Sequence, residues 1–321
     1  MYQFERDLSH ADFHDCHFPE RSDRYESRIY RSGESRIFPW KILKENGVEI
    51  TGYFSKSPES AKSAADFTNT KLYKSIENIL SDSDTLFITV PDGQISKVWD
   101  YMKNLDIKNK NICHCSGSIS STVFFDGENL GANIYSVHPL YAISDKCESW
   151  KHLNKAYFTV EGSAENLDEI KSIFERAGNK VIAMGAENKS LYHCGAVVVS
   201  NLVSGLFQVG AEMLVKCGFD KKDAKKALVP LFTGNADTLA EKGVAAALTG
   251  PVERNDLSTI TKHIEAIEAA WINESEEKVG YEMIYLLLSE KLLSIAQEKH
   301  LDSDYLKMTE VIKNEKHSIH F

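Results

Sequence analysis

The sequence has few of the features that assign a chain to a specialised class of protein. Its six cysteines are irregularly spaced, which favours reduced thiols over a disulfide framework. Basic residues are in the minority, with 37 Lys and Arg against 47 Asp and Glu, so neither nucleic acid nor an anionic membrane is expected as the main partner. No apolar run approaches the roughly 20 residues of a membrane span, and the N-terminus lacks the apolar core of a signal peptide. A soluble, cytoplasmic protein is therefore expected.

One short motif raises the question of a metal. Cys113-His114-Cys115 resembles half of a zinc site, but zinc sites need a second pair of ligands. No second pair of Cys or His residues stands at ligand spacing. We therefore expect no metal site.

The 321 residues, 42% of them hydrophobic, are enough for two domains with cores of their own. Residues 1–42 show no hydrophobic periodicity and are expected to be disordered or wrongly encoded. Over residues 43–186, apolar strands such as "TLFITV" alternate with amphipathic helices, which predicts a parallel sheet covered by helices. Residues 187–321 are helical in pattern and begin with one nearly unbroken helix to Gly218, a natural C-cap. The expected fold class is α/β, followed by an all-helical C-terminal domain.

Three loops of the first domain follow predicted strands, and ligands of open α/β sheets bind beyond the carboxyl ends of the strands. The loop after "VEITGYF" carries two hydroxyls and a cation, which suit the 2′-phosphate of NADP better than the ribose hydroxyl of NAD. The loops after "TLFITV" and "NICHC" would line the same dinucleotide cleft. Each loop could equally be an ordinary solvated turn. The candidate cofactor-binding residues are Ser55, Lys56, Ser57, Val90, Pro91, Asp92, Ser116 and Gly117.

A polar stripe runs along the first helix of the second domain. Lys189 and His193 are four residues apart on one face, and Ser200 and Asn201 fall within the same arc. Buried polar groups without partners are costly, so the stripe needs partners. An internal hydrogen-bond network or a functional cleft at the domain junction would supply them. The sequence leaves both interpretations open.

A tight turn at Thr249-Gly250-Pro251 precedes a cluster of mixed charge. Asp256 is placed to cap the next helix, and a capped helix with a solvated charge pair explains that residue fully. It does not explain why so tight a turn precedes Arg254 and Asp256. These two residues, together with Ser200, are candidate substrate-binding residues.

Several stretches resemble the Rossmann-like oxidoreductases with a helical C-terminal domain of unknown function 2520. They are "TLFITVPDGQI", "HCSGSISS", "YSVHPL", "FTVEG", "YHCGAVVVSNLVSGL" and the most distinctive, "ALTGPVERND". The resemblance runs in consistent order from about Leu43 to His263. This family is related to the 6-phosphogluconate, pyrroline-5-carboxylate and ketopantoate reductases. The resemblance implies a Rossmann-like domain over residues 43–186 that binds NADPH, and a helical domain over residues 187–321 for substrate binding and dimerisation.

The resemblance also implies the reduction of a small carbonyl or imine compound. Ketopantoate, a 2-oxo acid, is the leading substrate, and an imine such as pyrroline-5-carboxylate is the runner-up. Lys189 is the first candidate for proton donor and electrostatic stabiliser, and His193 is the second. Asn201 would orient the substrate, and Arg254 would pair with its carboxylate. A homodimer through the helical domain is expected, because exposed apolar faces need cover.

The segment "RSGESRIFPW" stands where this family carries its first strand and glycine loop. It has one glycine, Gly33, and a proline, Pro39, where a helix should run. Read one base out of register from Tyr25, permitted codons give MKVGFIGAGKVGFSLGKY, a strand with a complete glycine fingerprint. We therefore predict a frameshift, after which the chain lacks the first strand and glycine loop and binds NADPH poorly. The alternative to a frameshift is a truly divergent N-terminus. The alternative to a reductase is a non-catalytic interaction or ligand-sensing protein that lacks nucleotide binding.

Overall fold

The structure is a computed structural model, and it describes residues 26–30, 38–141 and 153–319. The chain divides into two compact units, Met1–Ala196 and Val197–Phe321. The division falls later in the chain than the predicted boundary at residues 186 and 187. The reason is that the start of the helix after this boundary contacts the sheet of the first unit.

The first unit alternates strands and helices, as the apolar pattern predicts. Its strands are β1 (Glu26–Tyr30), β2 (Glu49–Phe54), β3 (Lys71–Leu72), β4 (Thr85–Ile88), β5 (Asn111–His114), β6 (Asn133–Leu140), β7 (Tyr157–Gly162) and β8 (Lys180–Ala183). Its helices are α1 (Phe38–Glu45), α2 (Pro58–Thr68), α3 (Ile76–Ser81), α4 (Asp92–Met102) and α5 (Leu167–Glu175). Short 3₁₀ helices lie at Ser121–Val123 and Ala186–Asn188, and α6 (Lys189–Val199) spans the division between the units.

The strands of the described residues form one sheet in the order β3-β2-β1-β4-β5-β6-β7-β8. β6 and β7 are antiparallel, and every other neighbouring pair is parallel. The order from β3 to β6 is that of dinucleotide-binding sheets, in which the direction of strand addition reverses beside the first strand. Because β2, β4 and β5 run in parallel, the three loops singled out from the sequence all leave the same edge of the sheet.

Helices cover both faces of the sheet. α1, α2 and α5 pack on one face, in a core that contains Trp40 and Phe87. α3 and α4 pack on the other face around Trp99. Successive residues of a strand point to opposite faces, so Phe87 belongs to the first core and its neighbours Leu86 and Ile88 to the second. Burial on both faces is what the near-continuous apolar strands predict.

The prediction that the first strand is missing is wrong. Residues Glu26–Tyr30 form β1, which pairs in parallel with both β2 and β4 in the interior of the sheet. The sequence of this strand lacks an apolar run, and strand formation depends more on neighbouring strands than on intrinsic propensity. The predicted loss of the glycine loop concerns residues 31–37, which lie outside the described residues.

The prediction of disorder up to residue 42 is also wrong for residues 38–42. α1 begins at Phe38, and Pro39 stands in its first turn, where a missing N–H needs no partner. Trp40 is 1% exposed and packs against Phe87, with ring centroids 4.8 Å apart. Residues before Leu43 therefore contribute to the core of the first unit.

The second unit is helical, as predicted. Its helices are α7 (Asn201–Lys216), α8 (Lys221–Lys242), α9 (Val244–Ala247), α10 (Leu257–Ala270), α11 (Ser275–Lys299) and α12 (Leu306–Ser318). Its core holds Ile260, Leu286 and Met308, one each from α10, α11 and α12. The predicted unbroken helix is interrupted at Ser200, between α6 and α7, while Gly218 follows α7 with φ +95°, in keeping with its predicted place in the cap.

One helical stretch, Ala186–Lys216, is long and apolar enough to cross a membrane by length and composition, with a mean hydropathy of 1.5 over its most apolar 18-residue window. The sequence-based statement that no apolar run approaches a span missed it, because Ser, Asn, Gln and His residues interrupt the run. Buried residues make up 6% of its most apolar window. A single helix of this kind is weak evidence for a membrane, since helices of soluble proteins pass the same test.

Candidate active site

Lys189 begins α6 and is almost completely buried. Lys189 is 1% exposed, and its Nζ donates a hydrogen bond of 2.7 Å to Ser136 Oγ. Burial lowers the pKa of the Lys189 ammonium below its usual value, whereas the negative charges of Glu161, Cys115 and Asp92 raise it. A perturbed, buried lysine is typical of functional sites, although structural networks produce the same effect.

Tyr192, one turn after Lys189, is held by a histidine of the sheet. The Tyr192 hydroxyl and His138 Nδ1 are 2.8 Å apart, and the two rings are nearly perpendicular. Lys189 Nζ lies 5.7 Å from the centroid of the Tyr192 ring, which is within cation–π range. Burial raises the pKa of the Tyr192 phenol. The sequence reasoning missed this residue, which carries a second ionisable group beside Lys189.

The partners of α6 lie on a polar patch of the sheet, formed by Ser136, His138, Thr159 and Glu161. In the antiparallel pair of β6 and β7, Ser136 stands opposite Glu161 and His138 opposite Thr159. Alternate residues of a strand share one face, and the intervening Tyr135 belongs to the core on the opposite face. The patch was not predicted, although the alternation in "YSVHPL" and "FTVEG" is the signal that carries it.

Glu161 is the carboxylate of this polar patch and is 1% exposed. Its Oε1 accepts a hydrogen bond of 2.8 Å from the Ser121 N–H, and its Oε2 accepts one of 2.7 Å from Ser121 Oγ. These bonds attach the 3₁₀ helix Ser121–Val123 to β7. They also fix the carboxylate opposite Ser136, the residue that receives the hydrogen bond from Lys189.

Gly117, a predicted cofactor-binding residue, lies beside two imidazoles. A Cβ built on Gly117 would be 2.8 Å from His138 Nε2 and 2.8 Å from His193 Nδ1, closer than real Cβ atoms come to other groups. A side chain at this position would therefore have to displace both imidazoles. His193 Nδ1 is buried without a hydrogen-bond partner in the described part of the chain. The structure thus brings Gly117 and His193 together with His138, whose other nitrogen contacts Tyr192.

The predicted loops after β4 and β5 form one hydrogen-bonded unit. Asp92 Oδ2 accepts hydrogen bonds from Ser116 Oγ at 2.8 Å and from Ser118 Oγ at 3.0 Å. Val90 is 1% exposed, so its side chain belongs to the core and only its backbone remains as a candidate for ligand contacts. Pro91 occupies the N-cap position of α4, and its side chain makes no capping hydrogen bond. The acidic residue that occupies the first turn of α4 disfavours a phosphate at that position.

The predicted phosphate loop after β2 is partly used for its own structure. Ser55 Oγ accepts from the Ser57 N–H at 3.2 Å, and Ser55 is buried. Ser57 Oγ accepts from the Ser60 N–H at 3.3 Å, which caps α2, and donates to Glu59 Oε2 at 3.1 Å. Lys56 is exposed. Lys56 is therefore the side chain of this loop best suited to a phosphate.

The other predicted residues lie in the second unit. Ser200 Oγ donates to Asn201 Oδ1 at 3.1 Å. Asp256 caps α10 as predicted, with hydrogen bonds from Thr259 N–H at 3.1 Å and Thr259 Oγ1 at 2.6 Å. These bonds, and to a smaller extent the charge of exposed Arg254, lower the pKa of Asp256. Capping accounts for Asp256 without a ligand.

Within the described ranges, no group of three or more His, Cys, Asp or Glu residues is placed to hold a metal ion. Cys113 lies in β5 and is completely buried, which raises the pKa of its thiol well above the usual value. Burial thus disfavours the thiolate form that metal ions bind.

Comparison with known proteins places this site in a wider context. The family model of the domain of unknown function DUF2520 matches residues 156–291, which include β7, Lys189 and His193. No curated protein sequence matches the chain.

Solved structures share the fold over most of the chain. Protein TM1727 from Thermotoga maritima is 25% identical, with a TM-score of 0.67 over 85% of this chain and 99% of that one. A reductive aminase from Aspergillus terreus, in complex with NADPH and ethyl-5-oxohexanoate, is 15% identical, with a TM-score of 0.55 over 90% of this chain and 99% of that one. A pyrroline-5-carboxylate reductase from Coxiella burnetii is 13% identical, with a TM-score of 0.51 over 86% and 99%. The predicted fold class, a Rossmann-like α/β domain followed by a helical domain, is confirmed.

Proposed function

We propose that this chain is an NADPH-dependent reductase of a small carbonyl or imine compound, and that its first substrate is the 2-oxo acid ketopantoate. The observation that supports this most is the buried ammonium of Lys189, which stands on a polar patch beside the loops after β4 and β5. Ligands of sheets with this strand order bind at the edge where those loops lie. The similar fold of a reductive aminase in complex with NADPH supports the choice of cofactor.

NADPH, when bound, would supply the hydride for the reduction. The chain's own residues would hold the substrate and deliver the proton. The Lys189 ammonium would stabilise negative charge that develops on the carbonyl oxygen and is the first candidate to protonate it, with His193 as the second. Asn201 and Ser200 would orient the substrate, and Arg254, beside Asp256, would pair with its carboxylate. Lys56 with Ser55 and Ser57 would select the 2′-phosphate, and the loops Val90–Asp92 and Ser116–Gly117 would line the dinucleotide cleft.

The test is the oxidation of NADPH by the purified protein with ketopantoate and, in parallel, with pyrroline-5-carboxylate. We expect turnover with ketopantoate and a loss of at least about a hundredfold in kcat for Lys189→Met, because a cation at a developing oxyanion contributes that much. Lys97→Met, which removes an exposed lysine of α4, is the matched control. Normal kcat in the Lys189 variant would refute its role. Turnover with the imine alone would make pyrroline-5-carboxylate the substrate.

The frameshift stays part of this proposal. β1 lies at the positions where the shifted frame would encode KVGFI, which supports the view that a strand belongs there. DNA sequencing is expected to find an ATG across Tyr25 and Glu26 and a one-base difference near Ile42. NADPH titrations should then show tighter binding to the restored-frame protein than to the chain as written. If neither protein binds NADPH, the non-catalytic ligand-binding or interaction protein becomes the better interpretation.

The helical unit supports a further part of the proposal, that the protein is a homodimer. We also propose that it is soluble and cytoplasmic. An apolar groove of about 600 Å³ crosses this unit. Several of its side chains are largely exposed, such as Leu231 at 70%, and a second copy of the chain would cover them. The lining residues include Leu206, Phe207, Leu228, Leu231, Phe232 and Leu239.

A further inference from the structure

The buried ammonium of Lys189 needs a negative charge nearby. The hydroxyl of Ser136, to which Lys189 donates, is neutral, so it satisfies one N–H but does not balance the charge. A charge removed from water is stable only when it is paired, and otherwise the group gives up its proton. A neutral amine at this position would be a poor stabiliser of a developing oxyanion. The state of Lys189 therefore depends on the groups that face it.

The titratable groups around Lys189 come from every element packed against it. Asp92 stands at the start of α4, Cys115 follows β5, and Glu161 lies on β7. Tyr192 lies on the same helix as Lys189 and contacts His138 of β6. The ring of His193 lies next to that of His138, with centroids 6.3 Å apart. Two of these groups are carboxylates, so the question is which of them balances the charge.

Glu161 meets the requirement better than Asp92. It is 1% exposed, and within the described part of the first unit it is the one carboxylate among the fully buried residues. Asp92 is half-buried and accepts hydrogen bonds from two serine hydroxyls. Both oxygens of Glu161 are fixed by Ser121, and its backbone is paired with that of Ser136. A buried charge acts over a longer distance than one screened by solvent.

We propose that Glu161 acts through Lys189: its fixed, buried negative charge keeps the Lys189 ammonium protonated and so sets the highest pH at which the site works. Glu161 is a positioning residue and touches no substrate. Ser136 relays the geometry, because it receives the Lys189 hydrogen bond directly opposite Glu161 in the strand pair. The catalytic part of this inference rests on the proposed reductase function, but the effect on the charge of Lys189 does not.

The direct test is the titration of Lys189 by NMR of protein labelled at the lysine Cε, with its signal assigned from Lys189→Met. Glu161→Gln removes the charge and keeps the size of the side chain. We expect its Lys189 signal to titrate at clearly lower pH than in the natural chain. Glu175→Gln, which removes an exposed carboxylate of α5, is the matched control and should leave the titration in place. An unchanged titration in Glu161→Gln would overturn the proposal.

The activity test uses the pH profile of kcat. In Glu161→Gln the high-pH limb should move to lower pH, with about a tenfold loss at the alkaline end for each pH unit of movement. Glu161→Asp, which keeps the charge, should restore the position of that limb. If neither this chain nor the restored-frame protein reduces either test substrate, the proposed function fails, and the NMR titration still decides the role of Glu161.

A stability cycle covers the case in which Glu161→Gln does not fold. Lys189→Met leaves the Glu161 carboxylate buried without its partner, and that is more damaging than loss of both charges. The double variant should therefore be more resistant to urea than Lys189→Met alone. A double variant that is no more resistant to urea than Lys189→Met, or that fails to fold where Lys189→Met does, would refute the pairing.

Discussion

Removal of the Trp40 side chain is expected to cause a large loss of stability. Trp40 is 1% exposed and packs on Phe87 at a centroid distance of 4.8 Å. Truncation of a buried tryptophan to alanine costs about 3–5 kcal/mol. For a unit of this size each kcal/mol lowers Tm by about 2–4 °C, so Trp40→Ala should lower Tm by roughly 6–20 °C. The residue lies in a segment whose sequence predicts no order, so the experiment asks whether that segment belongs to the core.

The assay is thermal and urea unfolding followed by circular dichroism. Trp40→Phe keeps most of the packing and removes an indole N–H that is buried without a partner in the described residues, so its loss should be smaller, about 1–2 kcal/mol. Phe125→Ala is the matched control, because Phe125 is 53% exposed and its loss should stay within about 1 kcal/mol. If Trp40→Ala unfolds like Phe125→Ala, α1 is not part of the core and the reasoning fails.

Further predictions address the site and the helical unit. Gly117→Ala should reduce NADPH-dependent turnover at least about tenfold, because its Cβ would displace both imidazoles, whereas Gly93→Ala, which has open space around it, should not, as steady-state kinetics will show. The lowered pKa of Lys189 means that the folded chain binds fewer protons than the unfolded one between the two pKa values. Urea midpoints should therefore rise with pH in that window while kcat falls, and parallel changes would contradict the assignment. Asp256→Ala should cost about 1 kcal/mol in urea unfolding through loss of the helix cap, and a value near zero would show that the cap is dispensable. Phe232→Glu should yield a monomer in sedimentation experiments where the natural chain is a dimer, and a dimer of normal affinity would exclude this groove as the interface.

Much of the fold could be predicted because hydrophobic periodicity decides it. Apolar strands such as β4 alternate along the chain with amphipathic helices such as α4, and this alternation predicts a parallel sheet covered by helices. Local chemistry also placed several boundaries, such as Gly218 after α7 and the Asp256 cap of α10. These features depend on residues close together in sequence.

The features that could not be predicted depend on distant residues. β1 lacks an apolar run and owes its place to β2 and β4, and α1 owes its burial to contacts such as Trp40 with Phe87. The break at Ser200 leaves no proline or glycine as a signal. Helical spacing pointed to Lys189 and His193. The hydrogen bond of Lys189 to Ser136, and the position of His138 beside His193, depend on β6, which is more than 50 residues away in the sequence.

The arrangement of charged and polar groups at the site depends on the register in which β6 pairs with β7. Ser136 faces Glu161 and His138 faces Thr159 only in the native register. A slip of one residue would turn Glu161 to the opposite side and bring Val160 beneath Lys189. A chain in which these strands are misaligned would keep its secondary structure, but the proposed counter-ion of Lys189, the Glu161 carboxylate, would be lost. Titration of Lys189 would therefore distinguish correctly folded molecules from ordered molecules with the wrong strand register.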